Sequence, residues 1–162
     1  MISIKVDDVK QFTKKLFIDN VFDNFCTSKI NVDTFAKFSI DGRLNTKWFD
    51  AEELEEVGEE YSKWLDMKKY VYDMIKGKKV PTSFKIVLLL NKENTKNMLV
   101  KYSYQISEKD VDGFYLNIMY ENNEIHIVTG ISYNTFVMDK TLDNEWDNSI
   151  KLFMKKHEIE FE

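Results

Sequence analysis

The sequence predicts an α+β fold in which two βαβββ repeats are joined by a helical insertion and closed by a C-terminal helix. The composition, with 43% hydrophobic residues and one proline in 162 residues, is typical of a single domain over residues 1–162 without a linker. Two similar thirteen-residue segments occur in the chain, FSIDGRLNTKWFD at 38–50 and IVTGISYNTFVMD at 127–139. The same order of predicted elements surrounds both copies.

The first half, residues 1–50, begins with a short alternating strand at 2–6 and a helix that Asp7 or Asp8 caps. Helical spacing of apolar residues predicts the buried face of that helix, namely Val9, Phe12, Leu16 and Phe17. Three strands are then predicted, at 22–31, 35–41 and 44–50. The Asp41-Gly42 pair is a short hairpin signal between the last two strands.

The helical insertion, at 51–80, is predicted as two helices that end at Gly77, a residue suited to a helix C-terminus. Six glutamates crowd its start, which suits a helix N-terminus and predicts a solvated acidic face. They are Glu52, Glu53, Glu55, Glu56, Glu59 and Glu60.

The second half, residues 83–139, repeats the pattern of the first. A strand at 83–90, apolar enough to be buried on both faces, leads into a helix from Asn91 to about Tyr104. Three further strands are predicted at 113–120, 124–130 and 133–139. The C-terminal helix is predicted at 140–157, with an apolar stripe that faces the core.

The two halves align without a gap over residues 22–50 and 111–139, at a constant offset of 89. Five of the 29 positions are identical, including Asn45-Thr46 with Asn134-Thr135 and Asp50 with Asp139. Because turn positions and strand lengths agree as well, the sequence predicts an internal duplication.

The doubled βαβββ unit resembles the domain of DNA sliding clamps, with LNIMYENNEIHIVTGISY and ISIKVDDVKQFTKKL similar to clamp strands and an inner helix. That resemblance implies two repeat helices lying side by side on fused sheets. The whole chain also resembles an uncharacterised bacterial family known only as a domain of unknown function. The phrases FSIDGRLN, IKGKKVPTSFK and VTGISYNTFVMDKTLDNEWD carry this second resemblance, which implies no activity.

No catalytic residue, metal or cofactor is predicted. Cys26 lies within a predicted strand, where a lone cysteine is typically a small buried hydrophobe. His126 alternates with apolar neighbours and is interpreted as a surface residue, and no His, Cys or Asp residues have metal-ligand spacing. The Lys76-Gly77-Lys78-Lys79 segment lacks the preceding strand and following Ser or Thr of a phosphate-binding loop.

The candidate site is a set of lysines on the two repeat helices. If these helices lie side by side, their lysines form one basic surface that contacts nucleic acid without reading its sequence. The candidate contacts are Lys10, Lys14, Lys96 and Lys101. Ordinary solubilising lysines are the alternative interpretation.

The functional hypothesis is therefore a non-catalytic, clamp-like binding module whose partner is nucleic acid or a protein segment. One alternative is a small-molecule-binding protein or enzyme with a site assembled from distant residues, which requires a deep polar pocket. Another is a protein–protein adaptor that uses the acidic helix at 51–61. A single cysteine and the absence of a long apolar run predict a cytoplasmic protein with no membrane contact.

Overall fold

An antiparallel sheet forms one layer of the protein and helices form the other. The computed structural model describes residues 1–102 and 106–162. The strands are β1 (Ser3–Lys5), β2 (Cys26–Asp33), β3 (Lys37–Asp41), β4 (Ser62–Lys63), β5 (Ser83–Leu89), β6 (Val111–Glu121) and β7 (Glu124–Tyr133). The helices are α1 (Val9–Phe17), α2 (Ala51–Val57), α3 (Trp64–Ile75), α4 (Lys92–Tyr102) and α5 (Thr141–Lys156).

The strands lie in the order β1-β7-β6-β5-β2-β3, and β4 pairs separately with β2. All of the pairings are antiparallel, which confirms the predicted α+β class. The C-terminal helix is confirmed as α5, and two helices, α2 and α3, lie in the segment predicted as a helical insertion. The helix predicted from Asn91 to Tyr104 is observed as α4, and its last predicted residues lie outside the described part of the chain.

A row of six isoleucines crosses the six principal strands. Each is the direct cross-strand partner of the next, in the order Ile4, Ile127, Ile118, Ile86, Ile30 and Ile40. Because side chains alternate between the faces of a strand, the row fixes which sheet face is apolar. All six belong to or pack against the hydrophobic core.

The long helices cover that apolar face. Phe12 of α1, Trp64 of α3, Leu99 of α4 and Trp146 of α5 all belong to the same buried cluster as the isoleucine row. The indole of Trp64 is completely buried and donates a hydrogen bond to the Leu16 carbonyl at 2.8 Å. This bond joins the start of α3 to the end of α1 and satisfies the one polar atom of a large buried ring.

The start of α1 follows the sequence signal. Asp8, rather than Asp7, is the N-cap, and its side chain accepts a hydrogen bond from the Gln11 amide at 3.0 Å. Phe12, Leu16 and Phe17 are buried as their helical spacing predicted.

The prediction of the last strand in each repeat is wrong. Residues 46–48 form a short 3₁₀ helix instead of a strand at 44–50, and β7 ends at Tyr133 with no strand over 134–139. In both places the closing aspartate leads into a helix. Asp50 accepts a hydrogen bond from the Glu53 amide at 2.8 Å, and Asp139 accepts one from the Thr141 amide at 2.9 Å.

The two halves therefore share the order strand, helix, strand, strand. Their first strands are not placed alike, because β5 lies between β2 and β6 whereas β1 lies at the sheet edge beside β7. The duplication stays a prediction from the sequence alignment.

The hairpin predicted at Asp41-Gly42 is also wrong. β2 and β3 are joined by the turn at 34–36, and Gly42 lies after the end of β3. Its amide donates to the Ser28 carbonyl at 2.9 Å, and its carbonyl accepts from the Ser62 amide at 2.7 Å. Gly42 thus lies where three segments of backbone meet.

Candidate functional site

A groove of about 730 Å³ runs along α1 and the last turn of α3. Its floor is made by Phe84 of β5 and Tyr120 of β6, which are cross-strand partners. Their rings stack with centroids 5.0 Å apart and an interplanar angle of 9°. We call this feature the α1–α3 groove.

Apolar side chains form the walls of the α1–α3 groove. Val9 and Ile18 come from the α1 side, Tyr72 and Ile75 come from α3, and Val80 lies in the segment that follows. Ile18 is 56% exposed and Val80 is 65% exposed. Exposed aliphatic groups beside a concave apolar surface are typical of a place where another molecule packs.

Lysines surround this apolar surface. Lys10 and Lys14 of α1 and Lys76 at the end of α3 line the groove, and Lys78 and Lys79 follow Lys76 in the chain. Lys76 forms an exposed ion pair with Asp73 at 2.9 Å, and that hydrogen bond raises the pKa of its ammonium group. Lys10 and Lys14 have no ion-pair partner within residues 1–102 and 106–162. Three lysines and the Asp8 carboxylate line the groove, so it is basic on balance, on a chain whose net charge is −5.

The four predicted contact lysines do not lie on one surface. Lys10 and Lys14 line the α1–α3 groove, whereas Lys96 lines a different cleft beside Cys26. Lys101 lies over the ring of Tyr102, 4.9 Å from its centroid, in a third depression against α5. The structure instead joins Lys10 and Lys14 to Lys76.

The cleft beside Cys26 has a volume of about 580 Å³, and its walls combine charged side chains with apolar ones such as Leu89 and Val111. Glu59 accepts a hydrogen bond from the Lys92 amide at 3.1 Å and lies 3.6 Å from the Cys26 thiol. Burial, followed by the charge of Glu59, raises the pKa of Cys26 to about 12. The thiol therefore stays protonated at neutral pH and is a poor nucleophile.

Tyr115, a neighbour of this cleft, is also held in its protonated form. Burial and a 3.0 Å hydrogen bond to Asp112 raise the pKa of its phenol. Cys26 is thus hydrogen-bonded to Glu59, and Tyr115 is hydrogen-bonded to Asp112. We therefore assign these side chains a structural role. Among the described residues no group of three or more His, Cys, Asp or Glu side chains is arranged to hold a metal ion.

Arg43 links two segments of the chain. A hairpin at Asp41-Gly42 would have placed it at the hairpin tip instead. Its guanidinium donates to Glu60 at 2.6 Å and to the Tyr61 hydroxyl at 3.0 Å. Two of the six glutamates in the acidic segment, Glu59 and Glu60, therefore hold neighbouring segments in place. The four on α2 are exposed and remain the solvated face that the sequence predicted, namely Glu52, Glu53, Glu55 and Glu56.

His126 lies on the sheet face opposite the helices and is half-buried. Its Nε2 atom lies 3.0 Å from a carboxylate oxygen of Glu124. This contact is consistent with the interpretation of His126 as a surface residue.

The fold and the α1–α3 groove together define an α+β protein with one lysine-rimmed apolar depression on its helical layer. A family model described as "Family of unknown function (DUF5721)" matches residues 15–162. The chain belongs to this family. No curated protein and no solved structure matches it. None of the described helices combines the length and apolar character of a membrane span.

Proposed function

We propose that the chain is a non-catalytic binding module that holds an acidic, amphipathic segment of a partner protein in the α1–α3 groove. The observation that carries this proposal is the apolar depression between two helices with lysines at its margin. An amphipathic helix places an apolar stripe in such a groove and leaves its polar edges at the margin.

The side chains of the groove indicate two properties of the partner segment, namely an apolar stripe and acidic residues beside it. Ile75, Val80 and Ile18 offer aliphatic surface to an apolar stripe. Lys10 and Lys14 have no carboxylate partner in the described chain, so Asp or Glu side chains on the incoming segment would supply their counter-charges. This attraction is local to the groove lysines, because the chain as a whole carries a net charge of −5.

A protein segment suits the α1–α3 groove better than a nucleic acid strand does. Single strands bind by stacking bases on accessible aromatic rings. The two rings on the groove floor are buried, Phe84 at 5% and Tyr120 at 8% exposure, and they already stack on each other. The accessible wall is mainly aliphatic, with the half-buried Tyr72 as its aromatic member, and this composition favours side-chain packing over base stacking.

A direct test uses a fluorescein-labelled peptide of about 18 residues, or five helical turns, with a leucine stripe flanked by glutamates. A peptide of the same composition with the stripe scrambled is the control. We expect the striped peptide to bind, with an affinity that falls as salt is added. The Lys10→Glu/Lys14→Glu double variant should bind it at least about tenfold more weakly.

The matched control is the Lys96→Glu/Lys101→Glu double variant, which makes the same charge change outside the groove. It should bind the peptide as the unmodified chain does. Val80→Asp, at an exposed apolar wall position, should weaken binding without affecting the fold. Equal binding of striped and scrambled peptides, or indifference to both groove variants, would rule the proposal out.

The second candidate is clamp-like, non-specific contact with nucleic acid. The observation that supports it is the cluster of Lys10, Lys14 and Lys76 on an acidic chain, next to the lysines of the 76–79 segment. It predicts salt-sensitive binding of labelled oligonucleotides that weakens in the Lys10→Glu/Lys14→Glu variant more than in the Lys96→Glu/Lys101→Glu variant. That result, with no peptide binding, would replace the protein-segment proposal.

A further inference from the structure

The two edges of the sheet differ in how they are covered. Beyond β1, the Lys5 amide and carbonyl are both hydrogen-bonded to Glu162, at 3.1 and 2.9 Å. Val6 forms a bridge with Phe161, so the C-terminal residues cover this edge. At the other end of the sheet, β3 pairs with β2 alone among the described strands.

An uncovered edge strand presents unpaired backbone donors and acceptors to any strand that approaches it. The side chains of β3 leave this edge accessible, because Lys37, Ser39 and Asp41 are exposed and Phe38 and Ile40 are only half-buried. Phe35, in the turn just before β3, is 94% exposed and packs edge-on against Phe38.

The sequence of β3, KFSID, is complementary to itself when two copies run antiparallel. A pairing centred on Ser39 places each Lys37 opposite Asp41 of the other copy, and each Phe38 opposite Ile40. Opposite charges and apolar pairs at directly facing positions both stabilise antiparallel strands. Lys37 has no ion-pair partner among the described residues, so its ammonium group is available for this contact.

We infer that a second copy of this chain pairs with β3 edge to edge, forming a two-fold dimer with one sheet continuous across both protomers. The pairing is isologous, since the same five residues serve both partners. It depends on the β3 edge alone and is independent of what the α1–α3 groove holds. Because only five residues pair, the dimer is weak and reversible.

The charge complementarity gives a test that restores binding as well as removing it. Lys37→Asp places two aspartates opposite each other, and Asp41→Lys places two lysines opposite each other. Each variant alone should sediment at the monomer mass of 19.3 kDa. An equimolar mixture should form a heterodimer, since each mutated residue then faces an opposite charge.

The unmodified chain should show a mass that rises toward twice the monomer value with concentration, measured by sedimentation up to roughly 1 mM. Lys85→Asp is the matched control. Lys85 is exposed on the interior strand β5 on the same sheet face, so its charge reversal should leave the dimer intact. Circular dichroism of each variant establishes that a monomer is folded.

Cysteine cross-linking tests the register itself. In a Cys26→Ala background, Ser39→Cys should form a disulfide-linked dimer on mild oxidation, because two-fold pairing places the two positions directly opposite each other. Lys37→Cys should not cross-link, since four residues along the strand separate the two copies by about 13 Å. A monomeric unmodified chain, equal cross-linking at both positions, or no recovery on mixing the charge variants would overturn the inference.

Discussion

Gly42 lies where two backbone segments come closer than any side chain permits. A Cβ atom at this position would lie 1.9 Å from the Thr27 carbonyl oxygen. Since that oxygen belongs to a central strand, it has little freedom to move. The Asp41-Gly42 pair that suggests a hairpin in the sequence is thus explained by a close approach between segments.

Gly42→Ala should therefore destabilise the protein by roughly 2–3 kcal/mol, the range expected for overpacking against rigid backbone. Urea denaturation would measure the change. Gly130→Ala is the matched control, because nothing lies within 4 Å of a Cβ built there and the strand conformation accepts alanine. Equal stability of the two variants would contradict this account of Gly42.

Cys26 is a residue whose protonation is linked to folding. Burial is the main cause that raises the pKa of its thiol from 9.0 to about 12, with Glu59 adding to it. Below about pH 9 the thiol is protonated in both states and its contribution to stability is complete. Between about pH 9 and pH 12 only the unfolded chain releases the proton, so stability falls as pH rises.

We expect the melting temperature of the unmodified chain to fall more steeply above pH 9 than that of Cys26→Ala. At pH 8 the folded chain holds far less thiolate than the unfolded chain, because burial raises the pKa of the thiol, so a thiol reagent should modify it very slowly until denaturant is added. Parallel pH profiles for the two proteins, or rapid modification of the folded chain, would show that the thiol is accessible.

At the level of elements, each of the two similar segments, 38–50 and 127–139, ends in an aspartate that precedes a helix. The sequence Asp50-Ala51-Glu52-Glu53 forms a capping box, in which the Asp50 side chain accepts from the Glu53 amide and the Glu53 side chain accepts from the Asp50 amide. Asp139 accepts hydrogen bonds from both the amide and the hydroxyl of Thr141 before α5. The sequence before Asp50 suggests a strand, but the capping pattern that follows is the more reliable signal.

The two capping aspartates should differ in their effects. Asp139→Ala should lower the melting temperature by about 2–4 °C, because α5 contributes Leu142, Trp146 and Ile150 to the core. Asp50→Ala should leave the melting temperature nearly unchanged and increase hydrogen exchange in α2, which buries no residue. The reverse order of effects would mean that α2 is coupled to the core.

Much of the order of helices and strands can be predicted from the sequence. Much less of the α1–α3 groove can be predicted in this way. Alternation in ISIKV, the apolar run of SFKIVLLL and the cap at Asp8 each correspond to an observed element because each signal is local. The α1–α3 groove depends on how α1 and α3 dock, which is decided by contacts such as the Trp64–Leu16 hydrogen bond between distant residues. No local pattern reports that Lys76 lies beside Lys10.

On the scale of the whole molecule, the C-terminal residues protect one sheet edge. Three backbone hydrogen bonds join them to the start of the chain, two between Lys5 and Glu162 and one from the Asp7 amide to the Glu160 carbonyl. These bonds stabilise the fold and also remove a site for unwanted strand pairing.

Deleting residues 160–162 should lower the melting temperature by about 5 °C, given a modest net value for each lost hydrogen bond. It should also make the chain self-associate through β1, which light scattering would detect. Glu162→Ala is the control. It keeps both hydrogen bonds to Lys5, because these bonds are made by backbone atoms. A point variant as unstable as the deletion would instead assign the effect to the side chain.

The position of β1 at the sheet edge has a consequence for the order of folding. Its register partners, Val128, Ile127 and His126, are among the last strand residues of the chain. During synthesis β1 therefore cannot pair until residues 126–128 have been made, while β2 and β3 can form their hairpin as soon as β3 is complete. Closing this long loop costs entropy before any contact offsets it, so we expect the docking of β1 to be the slow, late step in folding.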